Sequence, residues 1–172
     1  VRTVFNILGP LTNPAFAPRQ VLGVYDLSLV PLVAGVLLEL GSEHAMVVHS
    51  RDGLDEISIS APTEVCEVSG GAIRSYLLHP GDMGIESYPL EAIAGGDAAE
   101  NAAIARRVLD GEEGAYREVV VANSGAALYV SGVAASIREG VDLAREALSS
   151  GRAAVTLDRL VEISNRTGET RG

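Results

Sequence analysis

The first third of the chain alternates between two hydrophobic patterns. Residues 20–25 (QVLGVY) form a short apolar, β-branched run that predicts a buried strand, and residues 44–49 (HAMVVH) predict a second one. Between them, residues 29–40 are apolar over three turns and are followed by Gly41, which predicts a helix that ends there. A strand, a helix and a strand in such close succession predict a βαβ unit with parallel strands.

Residues 57–79 carry shorter patterns. The runs ISIS, EVCEV and AIRSYLL are separated by Pro62 and by the adjacent Gly70 and Gly71. Apolar runs bounded by such turn residues predict short strands joined by a hairpin. We therefore expect an antiparallel edge on the sheet.

Helical periodicity dominates from Asp97 onward. Asp97 is followed three residues later by Glu100, which resembles a capping box and predicts a helix to about Leu109. Three further helices are predicted over residues 116–130, 134–149 and 156–164. Residues 167–172 have the position and the composition of a frayed tail.

These elements predict an α/β fold, with a mainly parallel sheet flanked by helices and a short antiparallel edge or hairpin. The chain has 172 residues, of which 47% are hydrophobic and 21% are charged. That length and composition fit one globular domain. We expect residues 1–172 to form a single α/β domain.

The charge pattern removes several classes of function. The chain carries 13 basic and 23 acidic side chains, for a net charge of −10, and every basic side chain is an arginine. An acidic chain without a basic stripe is not expected to bind nucleic acid, which requires clustered lysine and arginine. Without lysine, this chain cannot supply a Schiff base or a P-loop lysine.

Cysteine content and hydropathy indicate the cellular setting. The single cysteine, Cys66, cannot form an internal disulfide, which is typical of a reducing compartment. The longest strongly apolar run, residues 29–38, is too short to span a bilayer, and no signal-peptide pattern opens the chain. We expect a cytoplasmic protein with no membrane partner. Because the chain opens on Val1 in place of Met, we also expect it to be a piece of a longer protein.

An acidic cluster follows the second predicted strand. Asp52, Asp55 and Glu56 lie in a short stretch that also contains Gly53. Ligands of open parallel sheets gather at the carboxyl ends of the strands, where this loop is expected. A loop can turn adjacent carboxylates toward one Mg²⁺ ion, which takes one or two carboxylates and completes its shell with water and substrate phosphates. A solvated acidic turn explains the same spacing.

Other candidate positions have weaker signals. Arg51 can contact a phosphate or neutralise Asp52, and we favour the structural role. Asn123 and Ser124 interrupt an otherwise apolar helix, so they contact either a neighbouring element or a ligand. His44 and His49 are five residues apart on a predicted strand and face opposite sides, which does not suit a zinc site.

Four runs carry a family resemblance. Residues 2–14 (RTVFNILGPLTNP) resemble the RT(V/I)FNxLGPLxNP segment of the anthranilate phosphoribosyltransferase family at thirteen consecutive positions. Residues 53–56 match its G-(L/I)-D-E loop, and residues 95–102 match its GGDAxENA helix start. Residues 123–129 are similar to its NAGAALY run. The four runs follow family order, and the resemblance covers essentially the whole chain.

The resemblance implies a two-domain enzyme. Its helical N-terminal domain precedes an α/β domain of the nucleoside phosphorylase and phosphoribosyltransferase type, with the active site in the cleft between them. This chain resembles the latter, C-terminal part of the α/β domain. The family's GTGGD pyrophosphate loop, its KHGNR motif and its anthranilate-contacting arginine belong upstream, and Arg2 is not that arginine.

The resemblance also implies a reaction and a role for the acidic loop. Asp55 and Glu56 match the residues that bind a magnesium ion associated with the diphosphate. The reaction is the Mg²⁺-dependent transfer of a phosphoribosyl group from phosphoribosyl pyrophosphate (PRPP) to anthranilate, in tryptophan biosynthesis. Relatives are commonly homodimers through the N-terminal helical domain, so a homodimer is expected for the full-length protein.

Two other readings remain open at this point. One is an enzyme similar to pyrimidine nucleoside phosphorylases, in which phosphate attacks the sugar. The other is a noncatalytic remnant or interaction domain that keeps the fold. The LGPLTNP and GLDE runs favour the transferase.

Overall fold

The computed structural model describes residue 11 and residues 17–169, with side chains up to residue 166. Apart from residue 11, the family-like segment 2–14 lies outside the described residues, as do residues 170–172. Four strands and five α-helices make up the described part of the chain. Two short 3-10 helices, Pro80–Met83 and Leu90–Ile93, lie between the strands and the later helices.

The predicted βαβ unit is confirmed. Strand β1 (Arg19–Gly23) leads into helix α1 (Leu29–Glu39) and then strand β2 (His44–Ser50). Strands β1 and β2 pair in parallel, with Val21 opposite Met46. The carboxyl ends of these two strands therefore lie at the same edge of the sheet.

The antiparallel hairpin is also confirmed. Strand β3 (Thr63–Ser69) pairs antiparallel with both β2 and β4 (Ala72–Leu78), so the sheet order is β1-β2-β3-β4. Gly70 and Gly71 join β3 to β4 with positive φ angles of 58° and 77°, as a two-residue hairpin turn requires. The α/β class stands, but the described sheet is mixed, with one parallel pairing and two antiparallel ones. Because β2 returns through a loop and not through a second crossover helix, β3 must run antiparallel to it.

The ISIS run does not form a strand. Residues 57–60 lie in the connection between β2 and β3, with both Ile57 and Ile59 completely buried. Their alternation with serine arises because the isoleucines anchor an irregular loop to the core. Period-2 patterns alone do not separate that arrangement from a strand.

The four later helices follow the sequence prediction closely. They are α2 (Ala98–Leu109), α3 (Ala115–Ser131), α4 (Ile137–Ser149) and α5 (Arg152–Glu169). The side chain of Asp97 accepts a hydrogen bond from the Glu100 amide at 2.9 Å, which is the N-cap half of the predicted capping box. Helix α5 begins at Arg152, before the predicted start at residue 156, and continues to Glu169, beyond the predicted end at residue 164. It thus includes the first residues of the tail expected over residues 167–172, whose fraying stays a prediction.

Helices cover both faces of the sheet. On β2, Ala45 and Val47 pack in a cluster with α1, whereas Met46 and Val48 pack in a cluster that includes residues of α3 and α4. Cys66 is buried in the α1 cluster. A sheet covered on both faces explains the nearly continuous apolar run of β2. Within residues 17–169, no helix is both long and apolar enough to cross a bilayer.

Candidate functional site

The connection between β2 and β3, residues 51–62, forms a closed loop at the carboxyl ends of β1 and β2. We call it the acidic loop. At its base Ser50 pairs with Thr63 across the two strands, and the Arg51 amide donates a hydrogen bond to the Pro62 carbonyl at 3.0 Å. The loop is thus held at both ends by the sheet that it leaves.

Asp52 supports the loop from within. Its carboxylate accepts hydrogen bonds from the Ser58 hydroxyl at 2.5 Å and from the Leu54 amide at 3.4 Å. Burial raises the pKa of Asp52, but hydrogen bonds from Ser50, Ser58 and the Leu54 amide outweigh it, so the net pKa is lowered. These contacts indicate that Asp52 stabilises the loop.

Asp55 and Glu56 occupy the outer part of the acidic loop. Both are exposed, and both line an open groove of about 280 Å³. Val21, Gly23, Val48 and Asn123 complete the lining of this groove. The groove therefore lies where the sheet's parallel strands end, which is the position that ligands favour in open α/β sheets.

The two carboxylates in the groove make no polar side-chain contact with the described part of the chain. Among the described residues, neither Asp55 nor Glu56 has a side-chain hydrogen bond or an ion pair. Arg51, the nearest basic residue in the sequence, pairs instead with Glu64. The structural role predicted for Arg51 is therefore confirmed, but its carboxylate partner is Glu64 and not Asp52.

These donors fit a magnesium ion. Residues 17–166 hold no cluster of three or more His, Cys, Asp or Glu side chains that could enclose a metal by itself. Mg²⁺ needs no such cage, because it binds through one or two carboxylates and keeps water and substrate phosphates in its shell. Two carboxylates that no described residue pairs, beside an open groove, match that requirement.

Gly23 lets the acidic loop lie directly against the end of β1. A Cβ atom built on Gly23 would lie 1.6 Å from the Asp55 carbonyl oxygen and 2.6 Å from its carbonyl carbon. Such distances are far inside van der Waals contact, so any side chain here must displace the backbone of Asp55. A glycine inside a predicted strand is a general signal of a close backbone approach, but the sequence does not identify Asp55 as the partner.

Asn123 holds the acidic loop from the side of helix α3. Its Oδ1 accepts a hydrogen bond from the Ile57 amide at 3.0 Å, and its Nδ2 donates to the Ile57 carbonyl at 3.0 Å. A second Nδ2 hydrogen bond runs to the Val119 carbonyl, one turn earlier in the helix. Of the two readings left open for this residue, the structure shows contact with a neighbouring element.

The remaining sequence candidates lie elsewhere. Ser124, next to Asn123, lines a separate apolar groove formed by the later helices. His49 donates from Nδ1 to the Val24 carbonyl at 2.7 Å, while His44 contacts Glu67, so the two histidines point to different surroundings as predicted.

A second carboxylate site, which the sequence did not indicate, surrounds Glu67 on β3. Its side chain is only 4% exposed. Its two oxygens contact His44 Nε2 at 2.9 Å and accept hydrogen bonds from Tyr129 at 2.7 Å, Arg74 at 2.9 Å and Tyr76 at 3.0 Å. Burial raises the pKa of Glu67, but these contacts outweigh it and lower the pKa to about 2.

Comparison with known proteins places this geometry in a family. A profile described as "Glycosyl transferase family, a/b domain" matches residues 1–154. The anthranilate phosphoribosyltransferase of Rubrobacter xylanophilus is 52% identical over 166 residues, which is 96% of this chain and 48% of that protein. The chain thus spans about half the length of the curated relatives that it matches.

Solved structures agree with the sequence comparison. The anthranilate phosphoribosyltransferase of Thermus thermophilus superposes with a TM-score of 0.86 at 45% identity, over 94% of this chain and 48% of that one. The Saccharomyces cerevisiae enzyme, solved in complex with PRPP and Mg, superposes with a TM-score of 0.82 at 29% identity. That match covers 94% of this chain and 47% of the yeast chain.

Proposed function

The chain belongs to the glycosyl transferase family whose a/b domain it matches, and from that premise we propose that it is part of an anthranilate phosphoribosyltransferase. The reaction that we propose for the complete enzyme is the Mg²⁺-dependent transfer of a phosphoribosyl group from PRPP to anthranilate, in tryptophan biosynthesis. The relatives' names support the activity, and the yeast complex supports PRPP and Mg as its ligands. Anthranilate and PRPP are accordingly the small-molecule partners that we propose.

The observation that carries the proposal for this chain is the state of its two groove carboxylates. Asp55 and Glu56 are exposed and unpaired within the described residues, whereas Asp52 and Glu64 in and beside the same loop are satisfied by protein donors. We propose that Asp55 and Glu56 are the magnesium ligands. Their place at the carboxyl ends of β1 and β2 supports this role.

The residues of the chain act by position and charge. When bound, the metal ion would stabilise the negative charge that grows on the departing diphosphate as the bond to C1 breaks. Asp55 and Glu56 would hold it on one side of the groove without themselves exchanging protons. The acidic loop contributes rigidity, since its base is closed by the Arg51–Pro62 hydrogen bond and its interior by Asp52.

We also propose that the chain is the C-terminal portion of a two-domain enzyme. Its relatives are about twice as long, and the diphosphate and anthranilate motifs of the family have no counterpart among these 172 residues. We therefore expect the chain alone to show no turnover, and measurable anthranilate consumption by residues 1–172 would contradict that expectation. A homodimer of the full-length protein and a cytoplasmic location stay predictions.

Loss of anthranilate fluorescence tests the proposed reaction. The full-length protein that carries this sequence is incubated with anthranilate and PRPP, with and without magnesium. We expect fluorescence loss that requires both PRPP and magnesium. A folded full-length protein that consumes no anthranilate would contradict the transferase. Release of sugar phosphate from a pyrimidine nucleoside and phosphate would then favour the phosphorylase.

A further inference from the structure

We propose that Asn123 and Gly23 are positioning residues for the magnesium ligands, and this inference rests on the proposed function. In this proposal neither residue binds the metal ion itself. Each contacts the acidic loop from a different structural element: Asn123 from helix α3 and Gly23 from the end of strand β1. Together they fix the backbone from which Asp55 and Glu56 extend.

Asp55 and Glu56 lie between two residues, Leu54 and Ile57, whose backbone groups are hydrogen-bonded to the protein. On one side, the Leu54 carbonyl accepts a hydrogen bond from the Ser50 amide at 2.9 Å. On the other side, both the amide and the carbonyl of Ile57 are bonded to the Asn123 side chain. Without Asn123, the polar backbone groups of Ile57 would lose their partner beside a completely buried side chain.

Asn123 has little capacity left for a ligand of its own. Both Nδ2 hydrogens are used, one on the Ile57 carbonyl and one on the Val119 carbonyl, and Oδ1 already accepts from the Ile57 amide. Although this side chain lines the groove, its hydrogen bonds face the protein. Its role is therefore to orient the loop, in the way that partners behind metal ligands orient the ligands themselves.

Gly23 acts through the absence of a side chain. The Asp55 carbonyl occupies the space in which a Cβ atom would lie, so the loop reaches its observed position only over a glycine. An alanine would push the Asp55 backbone outward, because the atom in its way is main chain and not a flexible side chain. Asp55 would then move relative to Glu56.

Direct metal binding tests the inference apart from catalysis. Mn²⁺, which also favours carboxylate ligands, is titrated into the full-length protein with PRPP and followed by electron paramagnetic resonance. We compare wild type with Asn123→Ala, with Gly23→Ala and with the control Ser124→Ala, which changes the adjacent polar residue on the same helix. We expect Mn²⁺ to bind about 10–100-fold more weakly to the first two variants and unchanged to the control.

Two further readouts separate positioning from general damage. We expect the Asn123→Ala variant to keep a cooperative unfolding transition, while hydrogen exchange at the Ile57 amide becomes faster because Oδ1 no longer protects it. The magnesium concentration that gives half-maximal rate should rise in both variants. If Asn123→Ala fails to fold, Gly23→Ala decides the question.

The outcomes distinguish this inference from the proposed function. Wild-type affinity for Mn²⁺ in a folded Asn123→Ala or Gly23→Ala variant would overturn the positioning roles and leave the function intact. Wild-type protein that binds no Mn²⁺ with PRPP would overturn the proposed function and the inference with it.

Discussion

Carboxylates at two ends of the same sheet are in opposite situations. Glu67, toward the amino end of β2, is buried and contacts four protein partners. Asp55 and Glu56, beyond the carboxyl end of β2, are exposed and have no side-chain partner within the described residues. A carboxylate whose protein partners satisfy it serves the fold, whereas one that the fold leaves unsatisfied beside a groove is available to a ligand.

Residue type alone therefore does not identify a site. The Glu67 cluster joins β2, β3, β4 and helix α3 through the side chains of His44, Arg74, Tyr76 and Tyr129. The ring of His44 also meets the ring of Tyr129 edge to face, at 4.9 Å between centroids. We infer that this cluster stabilises the fold and that the acidic loop serves the reaction, and each assignment can be tested by its effect on stability.

The largest effect is expected from Glu67→Gln. The substitution keeps the shape of the side chain but removes the charge that its partners surround, so we expect a loss of roughly 2–4 kcal/mol in the free energy of unfolding. Urea denaturation measures it. The matched control is Glu39→Gln, which makes the same change at an exposed glutamate at the end of α1. Equal stability of Glu67→Gln and the control would show that the cluster does not stabilise the fold.

The pH dependence of stability should also show the contribution of the Glu67 carboxylate. Because the pKa of Glu67 falls from 4.5 to about 2 on folding, its contribution is present above pH 4.5 and is lost as pH falls toward 2. The shift corresponds to about 3 kcal/mol. Denaturation curves between pH 5 and about pH 2 should therefore show a smaller loss of stability in Glu67→Gln than in wild type. Parallel curves would contradict the lowered pKa.

Tyr129→Phe should have an intermediate effect. It removes one hydroxyl, which donates to Glu67 at 2.7 Å, and leaves the ring contact with His44 in place. We expect a loss of about 1 kcal/mol in the free energy of unfolding. A loss as large as that of Glu67→Gln would mean that the Tyr129 hydroxyl accounts for most of what the cluster contributes, and no loss would mean that its hydrogen bond to Glu67 does not stabilise the fold.

The smallest effect on stability is expected at the groove. Asp55→Asn and Glu56→Gln remove exposed charges that have no partner in the described protein, so the free energy of unfolding should change by less than about 0.5 kcal/mol. A marked destabilisation would show that these carboxylates support the fold, and would remove the contrast with Glu67.

Much of the fold follows from sequence patterns because its signals are local. The strand that contains Val21, the helix that ends before Gly41 and the cap at Asp97 each depend on neighbours within a few positions. The pairing of β2 with β3 is harder to predict from the sequence, because the loop between these strands carries a strand-like alternation at Ile57 and Ile59. That alternation reflects contacts with the core.

In the candidate site, too, the residues with local sequence signals could be predicted and those that act through long-range contacts could not. Asp55 and Glu56 stand out as adjacent carboxylates in a glycine-containing loop, and a family motif covers them. Gly23 contacts Asp55, which lies in a different part of the sequence. Asn123 contacts Ile57, which is 66 residues away in the sequence. A lone glycine in a strand and a lone asparagine in a helix do not indicate such partners. The Glu67 cluster was missed for the same reason.

Magnesium dependence of the reaction in the groove variants tests the central assignment most directly. The rate of anthranilate consumption is measured against magnesium concentration for the full-length wild type, Asp55→Asn, Glu56→Gln and the control Glu39→Gln. We predict that both groove variants lose about 100-fold or more in rate at magnesium levels that saturate wild type, while the control is unaffected. Folded groove variants that keep the wild-type rate and magnesium dependence would contradict the assignment of Asp55 and Glu56 as magnesium ligands.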